Sequence, residues 1–545
     1  MSSRVSRRRT PVRGIDSMTE TSANLANLFY TSARLAPEKE ALAWEGGGLS
    51  YGQLRDLIES LRPALALDAA PCVGILAYRS PLAYAAVQAI LAEGKAYVPL
   101  NPLFPSLRNG FILHKARIAT LVVGEECAKA LAELLKEYVD PLCIVTVGEA
   151  PQVRALVQGK AGVTLRELRM GSNLTPALLV PVHEDGSAYV LFTSGSTGEP
   201  KGVRVRHDNV FSYLKSFLAI YPIFREDRIS QTFDLTFDVS VHDQFITWAV
   251  GATLVVFPDK SLFSPLTYAA SQKLTVWFSV PARAAFLESA RLIVPGSLPD
   301  VRLSLFAGEK LTWKTCEVWK QVAPNSRLLN LYGPTEATVA FTHFEIPRDF
   351  PEARAYQGGV PIGRAFPGQR TEVRRADDSI CFPGEVGGLW LAGDQVAPGY
   401  LDEPQKTAER FILRDGIIWY RTGDLVMEES DGTLQYLGRE DFQIKIMGYR
   451  IELGEIEHAL MNCSGAAYAV ADVAQIRGTI DEIYCVLPKD LSTRKKEIHG
   501  SLKKRLPSYM LPRHMFFTNS IPLNTNGKMD RSALKARILK GLLAD

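Results

Sequence analysis

The sequence predicts an α/β protein: a large N-terminal unit of layered, largely parallel sheets and helices, followed by a small α+β unit. Three observations predict it. Apolar strand-like runs alternate with helical patterns over most of the chain, the sign of sheets covered by helices. From Arg439 onward the character changes to a compact, Lys-rich stretch of short strands and helices. The 545 residues also exceed what one hydrophobic core organises, so at least two units are expected. The boundary is set at 440/441, giving a core over 19–440 and a small unit over 441–545.

The alternation is clearest at 71–102. "CVGILAY" is an apolar strand. Ser80 is a candidate N-cap for a helix whose first position is Pro81, where the missing N–H costs nothing. "LAYAAVQAILAEG" has helical periodicity and stops on Gly94, and "AYVPLNP" returns to extended chain. The pattern recurs. "ATLVVFP" precedes a loop and a helix, and "LTVWFSV" runs into a helix opened by Pro281. No internal repeat interrupts it.

Bulk properties exclude several classes. Hydrophobic residues make up 46% and charged residues 22% of a chain with a formal net charge of only +3. That charge gives no strong field toward nucleic acid or a membrane surface. No apolar run approaches the ~20 residues of a membrane helix. The seven cysteines are scattered and form no CxxC pair, as expected of reduced thiols in a cytoplasmic protein. Between Arg4 and Arg13 lie five arginines with no apolar segment after them. Residues 1–18 are therefore expected to be a disordered leader rather than a secretory signal, and Met18 is a candidate start.

One loop carries chemistry on its own residues. An apolar strand at Tyr189–Phe192 runs into Thr193, Ser194, Gly195, Ser196, Thr197 and Gly198, with Lys201 following. Glycines let the backbone turn its N–H groups inward, hydroxyls add donors and the lysine adds a cation, which suits a polyphosphate. Pro200 before the lysine and Gly202 after it separate this loop from a Walker A motif.

The loop resembles the phosphate loop of the adenylate-forming superfamily, which includes acyl-CoA synthetases, luciferases and nonribosomal peptide synthetase adenylation domains. The resemblance continues in order from about Leu49 to Arg531. It runs through "LSYGQL", "KAYVPLNP", "NLYGPTEATV", "GGLWLAGDQVAPGY", "YRTGDLV", "GREDFQIKIMGYRIELGEIE", "LPSYMLP" and "NTNGKMDR". It implies the acyl-adenylate-forming fold with a mobile C-terminal lid, and ATP with Mg²⁺ as cofactors. It also implies roles for single residues. Glu336 would hold Mg²⁺ and Thr335 would meet phosphate. Asn330 and Tyr332 would bind adenine, with Gly308 and Glu309 passing beside the ring. Asp424 would take the ribose hydroxyls, although "TGD" alone reads as an Asx-turn. Arg439 would face the ribose or phosphate side. Lys528 would bridge substrate carboxylate, α-phosphate and ribose, a use of a fixed cation against developing charge. About Asp441 the lid would turn between two half-reactions, bringing first Lys528 and then the face around Lys445 and Gly448 to the site.

"TFDVSVHDQF" resembles the FDxS motif of amino-acid adenylation domains, where the aspartate binds the substrate α-ammonium; here it is Asp238. Outside that frame Asp238 reads as a helix cap. Together Asp238 and Lys528 would clamp an α-amino acid, and a simple acid would leave a buried carboxylate unpaired. The remaining pocket positions implied by the motifs are Val239, His242, Phe278, Leu305, Ala307, Leu331, Val339 and Ala340. They describe a small apolar pocket, and their order is similar to the pattern of L-proline-activating enzymes. Alanine is the runner-up, since "VWFSVP" and "FDVSVHD" echo D-alanine–carrier-protein ligases. A CoA ligase for a small acid is the third reading. No carrier-protein-like segment follows Lys528. The expected acceptor is therefore the phosphopantetheine thiol of a separate carrier protein, steered by the basic clusters Arg494–Lys496 and Lys503–Arg505. Neither nucleic acid nor a membrane is expected as partner.

Overall fold

The computed structural model describes residues 24–542 apart from 183–185, 196–198, 260–263, 349–358, 442, 477–480 and 523–529. Two large sheets, mostly parallel, carry the N-terminal part. The eight-stranded sheet runs in space from Gly399–Tyr400 through Lys201–Arg206, Ser187–Thr193, Ala96–Pro99 and Cys72–Leu76 to Thr120–Val123, Leu142–Val147 and Val163–Leu168. The nine-stranded sheet includes Arg228–Gln231, Val276–Ser279, Leu303–Phe306 and Arg327–Tyr332 side by side. Helices Tyr51–Ala66, Pro81–Ala92, His207–Ile220 and Val239–Val250 contribute their buried faces to one continuous apolar core with residues of both sheets.

The alternation read from the sequence is present. Cys72–Leu76 is a strand, Pro81–Ala92 a helix and Ala96–Pro99 a strand parallel to the first, with Gly94 at φ +67° between them. Val276–Ser279 leads into helix Pro281–Ser289. Ser80 is a correction: it stands at the N-cap, but its hydroxyl makes no cap bond and instead donates to Glu126 at 2.7 Å. A cap bond would need the Ser80 oxygen to accept from a backbone N–H of the first turn, and the rotamer is set instead by the charge-assisted donation to the Glu126 carboxylate.

A third sheet was not foreseen. Arg370–Arg374, Val386–Ala392, Ile417–Glu428, Phe411–Arg414 and Leu434–Arg439 form an antiparallel layer. It aligns two residues that matter below, because Asp424 and Arg439 are direct cross-strand partners.

Past this sheet, Gln443–Ile446 and Tyr449–Glu452 form a hairpin. Helix Leu453–Ser464 follows, with a three-stranded sheet of Val470–Ala474, Glu482–Pro488 and His514–Thr518. This segment has its own apolar cluster, including Ile451, Ile456, Leu460, Leu487 and Met510. None of the seven cysteines is joined in a disulfide. Among the described residues no helix is long and apolar enough to cross a membrane.

Candidate active site

The site lies where the ends of several strands meet the C-terminal hairpin. Its base is the phosphate loop. Thr193 is the last residue of its strand and pairs directly with Lys201 on the neighbouring antiparallel strand, which brings both to one end of the sheet. A side chain at Gly195 would put its Cβ 2.1 Å from the Glu199 carbonyl, so only glycine fits. Among the described residues the Thr193 hydroxyl is buried without a hydrogen-bond partner. A native structure seldom leaves such a group empty-handed, and a phosphate oxygen suits it. Ser196, Thr197 and Gly198 lie outside the described residues.

Glu336 is the electrostatic centre. It sits in the short 3₁₀ turn Thr335–Ala337 and is 0% exposed. One oxygen accepts from the Tyr400 hydroxyl at 2.9 Å and lies 3.2 Å from the Lys201 ammonium; the other meets the Arg450 guanidinium at 2.8 Å. Burial pushes its carboxyl up, but the Arg450 and Lys201 cations outweigh that and hold it well below the usual carboxylate range. The same burial pulls Lys201 down to about 8.

A second group assembles at Asp424. Tyr332 donates to one of its oxygens, and Arg439 contacts the other at 2.7 Å. Arg439 also forks onto Asp441 at 2.6 and 2.8 Å, so Asp441 is tied to the sheet that carries Asp424. Asn330, expected beside a base, donates to the Pro361 carbonyl at 2.8 Å. Glu309 accepts from the amides of Ala282 at 3.0 Å and Gly448 at 2.9 Å. Gly308 passes close by, at φ +89°. The hairpin approaches so tightly that a Cβ at Gly448 would meet Val280 at 2.5 Å.

Asp238 begins helix Val239–Val250 but makes no side-chain cap bond. Burial pushes its carboxyl up to about 6, with the neighbouring Thr335 hydroxyl and the Lys445 ammonium drawing it back. Lys445 itself stands 5.7 Å over the Tyr332 ring and is influenced by both Asp424 and Asp238.

The expected pocket residues are buried in the main apolar core. Val239, Phe278, Leu305, Ala307, Leu331, Val339 and Ala340 all belong to one buried cluster, with Phe278 and Leu305 cross-strand neighbours. His242 is fully buried, edge-on to Phe217 at 4.7 Å and Phe278 at 5.0 Å, and bonded through Nδ1 to Tyr213 at 2.6 Å. Burial lowers its pKa to about 3, so it is a neutral wall.

Two residues with structural roles here, Gln395 and Arg450, were not singled out from the sequence. Thr338 and Val339 have φ of 57° and 67°, a conformation costly for β-branched side chains. The Thr338 hydroxyl donates to the Gln395 carbonyl at 2.6 Å, and the Gln395 amide donates to the Ala340 carbonyl at 2.8 Å. Gln395→Ala removes that brace and strands a buried acceptor, worth about 1–3 kcal/mol. It is expected to raise the KM for the acid substrate roughly tenfold or more while leaving the KM for ATP within about twofold, measured by steady-state kinetics. Arg450 is the second omission. Its only sequence signal was its place two residues past Gly448. Lys528 lies outside the described residues.

The hairpin's position is reinforced at its flank. Arg108 pairs with Glu455 at 2.5 Å, and Tyr449 stacks on Tyr509 at 3.5 Å while meeting Phe237 edge-on at 4.7 Å.

Comparison with known proteins agrees with this geometry. Residues 29–401 match the family described as AMP-binding enzyme. The chain is 32% identical over 527 residues to phenyloxazoline synthase MbtB of Mycobacterium sp., covering 94% of this chain and 42% of that one. It is 30% identical over 537 residues to delta-poly-L-ornithine synthetase of Acinetobacter baumannii, covering 95% of this chain and 37% of the relative. This chain spans from about a fifth to two fifths of the length of the curated relatives it matches. Among solved structures, the Vibrio cholerae adenylation domain AlmE, in complex with glycyl-adenosine-5'-phosphate, superposes with a TM-score of 0.86 at 28% identity, covering 96% of this chain and 99% of that one.

Proposed function

Because the chain belongs to the AMP-binding enzyme family, the ATP-dependent adenylate-forming ligases, we propose that it activates a small α-amino acid, most specifically L-proline, as an aminoacyl-AMP and passes it to a carrier-protein thiol. The observation that carries the amino-acid reading is Asp238. It is a half-buried carboxylate at the start of helix Val239–Val250, next to the apolar core residue Val239, with no side-chain cap bond and within the electrostatic reach of the Lys445 ammonium. A substrate α-ammonium supplies the same partner. The compact wall of Phe278, Leu305 and Leu331 favours a short apolar side chain, and proline keeps two N–H donors for Asp238. The glycyl adenylate in the AlmE structure supports a small amino acid in a related site.

The donors around Glu336 fit Mg²⁺ arriving with the nucleotide. Magnesium keeps several waters and is commonly held by one or two carboxylates plus substrate phosphates, and Glu336 is a buried ionised carboxylate next to the phosphate loop. Bound there with Thr335 nearby, it would neutralise charge on the phosphates. The chain's own residues do the rest. Lys201 and the phosphate-loop hydroxyls orient the polyphosphate, and Asp424 and Tyr332 fix the nucleoside. Asp238 and Lys528 hold the amino acid with its carboxylate facing the α-phosphorus, so that pyrophosphate leaves in line. Residues 441–545 then turn about Asp441 to admit the thiol.

The test is amino-acid-dependent ATP–pyrophosphate exchange with L-Pro, D-Pro, L-Ala, D-Ala, Gly and Val. Exchange strongest with L-Pro supports the full reading. A maximum with alanine or glycine keeps the amino-acid clamp and discards the pocket assignment. Exchange only with acids lacking an amine removes Asp238 as an ammonium ligand.

A further inference from the structure

We propose that Tyr97 and Tyr189 are positioning residues for the substrate ammonium: their two buried hydroxyls, side by side on the eight-stranded sheet, hold the Asp238 carboxylate in place through a shared water. The inference rests on the reading of Asp238 as the ammonium ligand.

The two tyrosines are direct partners on adjacent parallel strands, Ala96–Pro99 and Ser187–Thr193, so their side chains leave the same face of the sheet. Their ring centroids are 5.5 Å apart. Both residues are 0% exposed, and both join the apolar core that contains Val239, the neighbour of Asp238. Among the described residues neither hydroxyl has a hydrogen-bond partner. A buried hydroxyl left unbonded costs more than a phenylalanine filling the same space, so two of them together point to a group that they serve. Asp238 is within electrostatic reach of both, since its charge adds to burial in pushing both phenols up. Neighbouring polar groups are engaged otherwise. The Tyr213 hydroxyl bonds His242 Nδ1 at 2.6 Å. Asp243, whose oxygens also lack a partner among the described residues, exerts its charge on Tyr84 and Tyr213. One water has the valences to join the three groups, accepting from both phenols and donating to a carboxylate oxygen. Such a bridge is nearly as good as a direct bond. It fixes the carboxylate's rotamer and leaves the remaining lone pairs for the ammonium, so that little has to be ordered when the amino acid binds.

The full-length protein is assayed by ATP–pyrophosphate exchange, with its best amino acid and with the des-amino acid of the same size. The variants are Tyr97→Phe, Tyr189→Phe, Asp238→Asn and each Phe substitution combined with Asp238→Asn. Each single Phe variant is expected to raise the KM for the amino acid about tenfold, the low end for a hydrogen bond to a charged group. Its kcat, its KM for ATP and its KM for the des-amino acid should stay within about twofold of wild type. In the Asp238→Asn background the further loss should shrink below about twofold, because the charge that the hydroxyls hold is already gone. Tyr51→Phe is the control for a purely structural hydroxyl: Tyr51 donates to the Ala252 carbonyl at 2.7 Å, so its loss should lower the melting temperature and leave the KM unchanged. Wild-type KM for the amino acid in both Phe variants, while Asp238→Asn still loses the amino acid selectively, overturns the inference alone. Losses that multiply in full with Asp238→Asn also overturn it, since the hydroxyls then act through another group. An Asp238→Asn loss shared equally by the amino acid and its des-amino analogue overturns the reading of Asp238 and the inference with it.

Discussion

Asp238→Asn is expected to lower kcat/KM for the amino acid by about 10²–10³-fold, the effect of leaving a desolvated charge without its partner, while changing the KM for ATP by less than about threefold. The amide keeps the shape but removes the charge. The loss should be selective. Adenylation of a des-amino acid of the same size should fall far less, because no ammonium is stranded. The same residue sets a pH signature. Its carboxyl is raised, by burial first, from 3.8 to about 6. Only the ionised form pairs with an ammonium. As pH falls through about 6 the ionised fraction drops, and the KM for the amino acid should climb toward tenfold per unit, flattening above that pH. The substituted amide cannot titrate, so the Asp238→Asn variant should lack this acidic arm. Equal losses for the amino acid and its des-amino analogue, or superimposable pH profiles, would rule out the clamp.

What could be read beforehand divides along a physical line. That Thr193 and Lys201 would lie together was legible because an apolar strand running into a Gly- and hydroxyl-rich turn before a lysine implies a return of the chain, and the two are direct cross-strand partners at one end of the sheet. The strand–helix alternation was legible because period and capping are local. Arg450 was not. Its partner Glu336 is 114 residues away in sequence, and in isolation an arginine on a hairpin edge reads as solvated surface. The backbone of Thr338 and Val339 was illegible for the opposite reason. Local preference argues against left-handed backbone at β-branched residues, and only the remote Gln395 makes it tenable. The antiparallel layer was passed over because its strands come with turns rather than helices between them, and the pairing of Asp424 with Arg439 appears only in register. Ser80 shows the limit of a correct local signal: the helix begins where its cap position predicts, yet Glu126, distant in sequence, takes the hydroxyl.

Lys528→Ala separates the two half-reactions most sharply. The described cations of the site are committed elsewhere: Lys201 and Arg450 to Glu336, Arg439 to Asp424 and Asp441, and Lys445 to the neighbourhood of Asp424 and Asp238. The substrate carboxylate and the charge that develops at the α-phosphate therefore need another cation. The ends of the segment that contains Lys528 are well anchored. The Asp530 amide donates to the Pro522 carbonyl at 2.8 Å, Asp530 caps helix Arg531–Leu539 by accepting from Ala533 at 2.9 Å, and Arg531 reaches Glu457 at 2.5 Å. Removing Lys528 is expected to cut amino-acid-dependent pyrophosphate exchange by about 10²–10³-fold, the usual scale for one charge-stabilising donor. On the proposed division of labour, in which the hairpin rather than Lys528 serves the second step, transfer from chemically supplied aminoacyl-AMP to a carrier-protein thiol should stay within about threefold. Thiol loading from supplied adenylate is the decisive assay. If it falls in parallel with exchange, one lysine serves both steps and the division of labour between Lys528 and the hairpin is wrong; if exchange survives the substitution, the carboxylate is held by another cation, and Lys445 is the first to replace.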